Sequence, residues 1–501
     1  MGQAVRQERD QSLWARLFSL HSVYLLILLA GPLLISNQFH TGAAVFDDPD
    51  IWWHLHDADL LFTSHHPVRQ DAYSYTLAGR SWINPETGAE LPFYFANKAF
   101  GLPGIFYVSL AAADLVIFGT FLLAYVRSRN LHASFLTSLI SVFLLSPSVG
   151  PRTILFGWCC FIAELLILEL HQRGRDYLWL LPPLIVLWIN LHASYLIGIV
   201  FLILYIAGGM VEGQWGRLCS RRWSRAEIRR LLAVLALSLV GIFLNPSTWR
   251  LVVYPFDVAL QQPLTTRLIE DWQSLNFQDP RAKVAFGLLT LFSLLQLSRS
   301  QRWPLHEVLF YLLAFYSAFT HQRFLVMLGI VACPILASHL QVRPYRPERD
   351  KPLLNAGMIA VCTGFVSWML PHTETMRYAL AQRYPVAALD WLKQNPRKGH
   401  LFSTLEWGGY INYKDPGTSV FMDGRMDLFE HAGVFKDYLK ILSLDGSLEI
   451  LDRYRVESVL LPKGTPLVYL LEHTHEWTPA YRDGNAVVLV RVPPPGGRGA
   501  E

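Results

Sequence analysis

Charge is scarce in this chain. Of 501 residues, 16% are Asp, Glu, Lys or Arg, where an ordinary soluble protein is nearer a quarter. Cysteine is rarer still. Cys159, Cys160, Cys219, Cys333 and Cys362 all fall in apolar runs or in a connection read below as cytoplasmic. The segments read as outside hold none, which excludes a disulfide framework there. Internal repeats are missing, and so is low complexity apart from a Pro/Gly tail, Pro493 to Gly499. The net charge of +4 is small and says little by itself; no nucleic-acid partner is expected.

Apolar residues fill the gap. They make up 52% of the chain, 13% is aromatic, and the mean hydropathy is +0.27. They cluster in runs near 17–37, 103–126, 131–147, 153–170, 177–190, 195–212, 231–244, 284–298, 305–320, 324–340 and 353–371. About eleven membrane spans follow by the usual length criterion. The first run follows Arg6, Arg9 and Arg16, is long, and has no clear small-residue cleavage site after it, so it reads as a retained helix. Every second connection is basic: Arg127 and Arg129; Arg173 and Arg175; Arg217 to Arg230; Arg299 and Arg302; Arg343 to Lys351. The positive-inside rule then puts the N-terminus in the cytoplasm and everything after 371 outside.

The most informative stretch follows the first run: Phe46-Asp47-Asp48-Pro49-Asp50-Ile51-Trp52-Trp53-His54-Leu55-His56-Asp57. A carboxylate before a proline is a helix-start signal, so Asp48 is read as N-cap and Pro49 as the first helical residue. Asp50 and His54 then share one face, and the tryptophans suit a membrane–water interface. Capping and anchoring explain Asp48 and the indoles. They explain Asp50, His54 and Asp57 less well, because a cap needs one carboxylate.

The stretch opens a long outside loop, 38–102, too large to be a mere linker. A second outside loop spans 245–283 and carries Glu270-Asp271-Trp272. Arg152, Asn190 to His192, and Arg323 mark short polar turns on the same side. Each arginine alone reads as an interfacial anchor. As a set on one side they point to a shared polar cavity. Residues 372–492 differ: a helix at Pro385–Leu392 and strands at 400–404, 419–423, 457–461 and 485–490 indicate a small soluble α/β domain. Glu406 to Tyr410 and the turn Asp423 to Asp427 follow strand ends, where such folds place sites. Residues 493–501 read as a disordered tail.

The order of Asp50-Ile51-Trp52-Trp53-His54-Leu55, Pro67 to Thr76, Asn190-Leu191-His192, Asn245-Pro246, Glu270-Asp271-Trp272 and Asp423-Gly424-Arg425 resembles a group of poorly characterised bacterial multi-pass proteins. That group in turn resembles the C-type (GT-C) membrane glycosyltransferases. Where its members tend to carry His-Glu-Trp, this chain has Pro85-Glu86-Thr87, keeping the acid alone. The resemblance implies a polytopic helical membrane domain over 1–371, with the α/β domain extracytoplasmic in the bacterial cytoplasmic membrane. It also implies transfer from a polyprenyl-phosphate-linked sugar donor to an envelope glycan, lipid or protein acceptor. On that mapping the catalytic carboxylate is Asp50, or Asp48.

Such a reaction needs a base for the acceptor's proton, positive charge or a metal for the departing phosphate, and an apolar groove for the lipid. Arg152, Arg323 and His192 are candidates to face the phosphate. His54, Glu270, Asp271, Trp407, Asp423 and Arg425 are candidate substrate contacts. Asp48 and Asp50 are a weak pair of ligands for a divalent cation such as Mg or Mn. An alternative is a non-catalytic shell that docks envelope glycans or partner proteins. A transporter is disfavoured, because no two halves repeat.

Overall fold

The computed structural model describes residues 14, 17–35, 41–298 and 302–492. Arg6, Arg9, Arg16 and Arg299, and the tail from 493, lie outside them. The chain divides into two compact units: Met1–His40, Tyr107–Thr248 and Ile269–Pro371 form the first, and Thr41–Phe106, Trp249–Leu268 and His372–Glu501 the second. This differs from the expected division at 371. The first outside loop and the first part of the second group with the C-terminal segment, because they share its core and its ion pairs.

All eleven apolar runs carry helices, from Leu20–Leu29 to Pro352–Met369. Among the described residues, five helices are long and apolar enough to cross a membrane: Leu102–Ser128, Leu131–Ser148 with its final 3-10 turn, Ile154–Gln172, Gln322–His339 and Pro352–Met369. Leu20–Leu29, Leu178–Leu191, Tyr195–Ala207 and Leu305–Thr320 are apolar but shorter. Local chemistry sets some of these limits. Asn130 caps Leu131–Leu145 by accepting from the Ala133 N–H at 3.1 Å. Ser224 and Glu227 form a capping box on Arg225–Gly241, whose first turns carry Arg225, Arg229 and Arg230 and so leave a short apolar remainder. Within this unit Ala124, Ala133, Cys333 and Ala337 pack together, small residues that let helices approach closely. Arg127 bridges Glu169 at 3.0 Å and Glu307, and Arg173 adds a second bond to Glu169 at 2.8 Å. All five cysteines are free.

Short strands β1 (Gly213–Trp215), β2 (Leu218–Ser220) and β3 (Trp303–Pro304) belong to the first unit. The second unit is built on a four-stranded mixed sheet: β4 (His400–Ser403), β5 (Val456–Pro462), β6 (Trp477–Arg482) and β7 (Ala486–Arg491), in the order β4-β5-β7-β6. Only β4 and β5 are parallel. Ala486 to Val490 is buried at every position, as expected for a strand covered on both faces. Trp53, Leu77 and Trp82 of the first loop share one core with Phe402, Phe421, Val459 and Leu489.

The expected strand over 419–423 is not formed. Val420 alone makes parallel bridges, to Ser74 and to Leu401. Pro416-Gly417 before it and Gly424 after it leave no room for a longer ladder. The expected helix start also shifts: the acidic helix spans Ile51–Ser64, with Asp50 in the capping position and making no cap bond. Asp48 accepts instead from the Asp50 N–H at 3.0 Å, an Asx turn that precedes the helix.

Glycines set how closely elements of this unit approach. A β-carbon on Gly408 would collide with the Met422 carbonyl and lie 3.0 Å from Asp423 Cα. Gly408→Ala is expected to destabilise the protein by about 1–3 kcal/mol through overpacking. At Gly417 a β-carbon would meet only Asp415 Oδ1, at 3.9 Å. Thermal unfolding of the two variants in detergent checks this: Gly408→Ala should melt lower and Gly417→Ala close to wild type.

Candidate active site

The acidic helix Ile51–Ser64 supplies the centre of the second unit. Its residues 51–58 are all buried, so a four-residue spacing puts His54 and Ala58 under one cover and His54 one turn beyond Asp50. The loop that follows brings a second helix, Thr87–Phe100, alongside. Glu86 sits at its start and Glu90 in its first turn. His54 lies between them, Nε2 3.2 Å from Glu86 Oε2 and Nδ1 3.0 Å from Glu90 Oε1. Burial alone would lower the imidazole pKa. Hydrogen bonds and charge from Glu86 and Glu90 outweigh it and hold the ring well above its ordinary value. His54 is therefore an imidazolium clasped by two carboxylates.

The carboxylates continue along the helix. Asn84 donates to Glu90 at 2.6 Å and to Asp57 at 2.8 Å, and Tyr73 O–H donates to the other Asp57 oxygen. Burial, with Glu90 adding like charge, pushes the Asp57 carboxyl up to about 8. Beyond Tyr73 lies Arg425, fully buried. It bonds Asp423 through Nε at 2.8 Å and through a terminal nitrogen at 2.7 Å, and Asp71 at 2.6 Å. Its guanidinium stands 4.4 Å from the Tyr73 ring centre and 4.7 Å from that of Trp82, a desolvated cation–π arrangement. Asp427 takes the Trp82 indole N–H at 3.3 Å and the Tyr254 hydroxyl, and burial lifts its carboxyl to about 6.

Asp50 is half-buried at the head of this array. Desolvation raises its carboxyl well above the ordinary range, Asp48 raises it further, and His54 pulls the other way. Gly424 lies against its Oδ1, so that any β-carbon at 424 would collide with it. Gly409 packs on the turn before the helix, with Pro49 O at 3.5 Å and Trp53 N at 3.4 Å from the position of a β-carbon. Among the described residues no three His, Cys, Asp or Glu side chains group as metal ligands do. A divalent cation at Asp48 and Asp50 would have two protein carboxylates at most, its other ligands being waters or phosphate oxygens.

The other expected site residues fall into two sets. Trp407, Asp423 and Arg425 share the second unit but do not present themselves to a ligand. Trp407 is 4% exposed and its indole N–H donates to the Arg383 carbonyl at 2.9 Å; Asp423 and Arg425 are at most 2% exposed. They pack and balance charge where main chains approach most closely. Arg152, His192, Glu270, Asp271 and Arg323 belong to the first unit. There Arg152 pairs with Asp271, Arg323 lies 4.7 Å over the Trp272 ring, and the Gln322 N–H donates to the Gln273 carbonyl at 2.9 Å. Four of the five thus sit on joined turns. His192 accepts from the Ser194 N–H at 3.0 Å, on a turn packed against Gly157.

Asp57 was marked by the sequence as an acid beyond what a cap needs, but it, Tyr73, Asn84, Glu86 and Glu90 were given no role in the site. The signal for the last two was their four-residue spacing at a helix start, and the acid of Pro85-Glu86-Thr87 is the one that pairs with His54 Nε2.

No family model matches the sequence, and no curated protein does. Solved structures do. Oligosaccharyltransferase AglB from Archaeoglobus fulgidus, in complex with an inhibitory peptide and a dolichol-phosphate, matches at TM-score 0.55 and 11% identity, over 88% of this chain and 69% of that one. ArnT from Cupriavidus metallidurans, bound to undecaprenyl phosphate, matches at TM-score 0.51 and 14% identity, over 94% and 98%. Both are GT-C glycosyltransferases. The chain therefore has a GT-C-like fold; at these identities the likeness speaks for the fold alone.

The carboxyl network fixes a pH dependence. Asp57 has a folded pKa above its unfolded one, so the native state holds the extra proton and the stability it contributes is full below about 4. That contribution is lost as pH rises towards about 8, on the order of 1 kcal/mol per pH unit for one proton. Asp57→Asn has no such proton. Melting temperatures of wild type and Asp57→Asn measured between pH 4 and pH 8 should diverge, with wild type losing more as pH rises.

Proposed function

We propose that the protein is a membrane glycosyltransferase that takes a sugar from a polyprenyl-phosphate-linked donor and passes it to an envelope acceptor outside the cytoplasmic membrane. The observation that carries this reading is Asp50: a half-buried carboxyl, raised by burial and by Asp48, held against Gly424 at the head of a fixed acidic array, in a chain with a GT-C-like fold. A base whose pKa is lifted towards the working pH takes a proton most effectively. Asp50 is assigned that role, with Asp48 next to it as the alternative.

His54 bridges Glu86 and Glu90, offsetting one of their two charges, and holds the helix in register behind Asp50. Arg152 and Arg323, whose planar fork matches phosphate oxygens, and His192 are assigned to phosphate, and Glu270 and Asp271 to the acceptor or an ion. The pair Asp48 and Asp50 suits a Mg or Mn ion, which when bound would supply positive charge to the departing phosphate. The reading places the N-terminus in the cytoplasm and residues 372–492 outside, in a bacterial inner membrane. Its partners are the lipid-linked donor, membrane lipid, and a glycan, lipid or protein acceptor.

Two measurements test it. Proteoliposomes given radiolabelled polyprenyl-phosphate sugars and envelope extract should transfer label, and Asp50→Asn should lose at least about a hundredfold, the usual scale of a general base, while melting like wild type. Full transfer by a folded Asp50→Asn would remove the assignment, and no transfer by wild type from any donor would favour the docking-shell alternative. Separately, Mg or Mn should raise the melting temperature of wild type and leave Asp48→Asn unchanged.

A further inference from the structure

The helix Trp249–Gln261 has two unlike faces. One is bound inward: Leu251 and Val258 are buried, Tyr254 donates to Asp427, and Asp257 pairs with His431 at 2.7 Å. The other carries Trp249, Val253, Phe256 and Leu260, exposed by 58%, 49%, 52% and 80%. Their spacing of four, three and four is one stripe along a helix. The stripe holds no charge, and the acid of this helix, Asp257, faces inward.

We infer that this stripe lies in the outer boundary of the lipid bilayer, as an interfacial helix buried to the headgroup and upper acyl region. Three observations choose lipid over a protein partner. Seven residues separate Trp249 from Gly241, the end of a helix whose first turns are basic and whose remainder, from Leu231, is apolar, so the stripe is tethered within about 30 Å of that end by chain length alone. The approach is itself apolar and exposed, through Phe243 and Leu244 at 47% and 65%. At the stripe's start an indole and an exposed guanidinium, Trp249 and Arg250, stand side by side with the guanidinium 6.0 Å from the ring, the pairing that suits a headgroup layer. The inference does not rest on the transferase reading: an interfacial helix serves a docking shell equally.

The test uses full-length protein with its five cysteines replaced by serine or alanine, and one new cysteine per variant: Phe256→Cys, Leu260→Cys or Gln261→Cys, the last exposed and off the stripe. Each is labelled with an environment-sensitive fluorophore and placed in nanodiscs of phosphatidylethanolamine and phosphatidylglycerol. Labels at 256 and 260 should be quenched by brominated lipid and shielded several-fold from aqueous iodide compared with 261. Leu260→Cys is the safeguard if Phe256→Cys fails to fold, since residue 260 is the more exposed. Equal iodide access at all three sites would overturn the inference. So would shielding without quenching by brominated lipid, which would mean that a second copy or another part of the chain covers the stripe.

Discussion

Buried charge has to be matched, and the second unit is arranged around that requirement. Asp57, Asp71, Glu90 and Asp423 are all buried, with Asp48, Asp50 and Glu86 close by, and the cations set against them are His54 and Arg425. Removing one partner of such a pair leaves an uncompensated ion, at a cost of about 3–5 kcal/mol. Arg425 therefore ties together segments more than 350 residues apart, since it bonds Asp71 of the first loop as well as its own neighbour Asp423. His54 does the same between two helices by taking Glu86 on one nitrogen and Glu90 on the other. The first loop groups with the C-terminal segment because the ion pairs, together with the shared core at Trp53 and Trp82, leave it no other low-energy place.

Asp50 takes its position from this frame and from three glycines. Gly408 admits the main chain at Met422 and Asp423, Gly409 admits the turn at Pro49, and Gly424 leaves room for the Asp50 carboxyl. Two sequence motifs that look like recognition elements, Trp407-Gly408-Gly409 and Asp423-Gly424-Arg425, are thereby accounted for as close-approach points. In the second motif the glycine makes the space and the flanking charges neutralise each other, so a single turn both seats Asp50 and carries the Asp423–Arg425 ion pair.

Much of the helical half was legible, because long apolar runs between basic connections have few other folds open to them. Span lengths were less so: hydropathy put one run at 231–244, whereas its helix spans Arg225–Gly241 and takes Arg225, Arg229 and Arg230 into its first turns. In the sheet, β7 announced itself by five consecutive apolar residues, whereas β6 did not. Its sequence Trp-Thr-Pro-Ala-Tyr-Arg contains Pro479 and buries only Trp477, features tolerated at a sheet edge and hard to tell from a loop. In the site, the importance of Asp50 and His54 could be read from an excess of acids over what a cap needs. The clasp on His54 could not, since pairing residues 54, 86 and 90 requires knowing that two helices lie side by side. Nor could the burial of Trp407, since an indole beside two glycines reads equally well as a ligand contact.

The raised carboxyls set a condition on any chemistry at Asp50. A carboxyl lifted by burial and by Asp48 gains basicity and loses ionised population together, so lifting it helps only until the protonated form predominates. Asp57, at about 8, and Asp427, at about 6, show that this unit already retains protons that free carboxyls would release. For Asp50 to work as a base, the opposing pull of His54 must keep enough of it ionised, and His54 can exert that pull only while Glu86 and Glu90 keep it charged. The two glutamates therefore act on Asp50 at one remove. Glu86 also repels its charge directly, while both glutamates, Glu86 at 3.2 Å from Nε2 and Glu90 at 3.0 Å from Nδ1, maintain the cation that favours it.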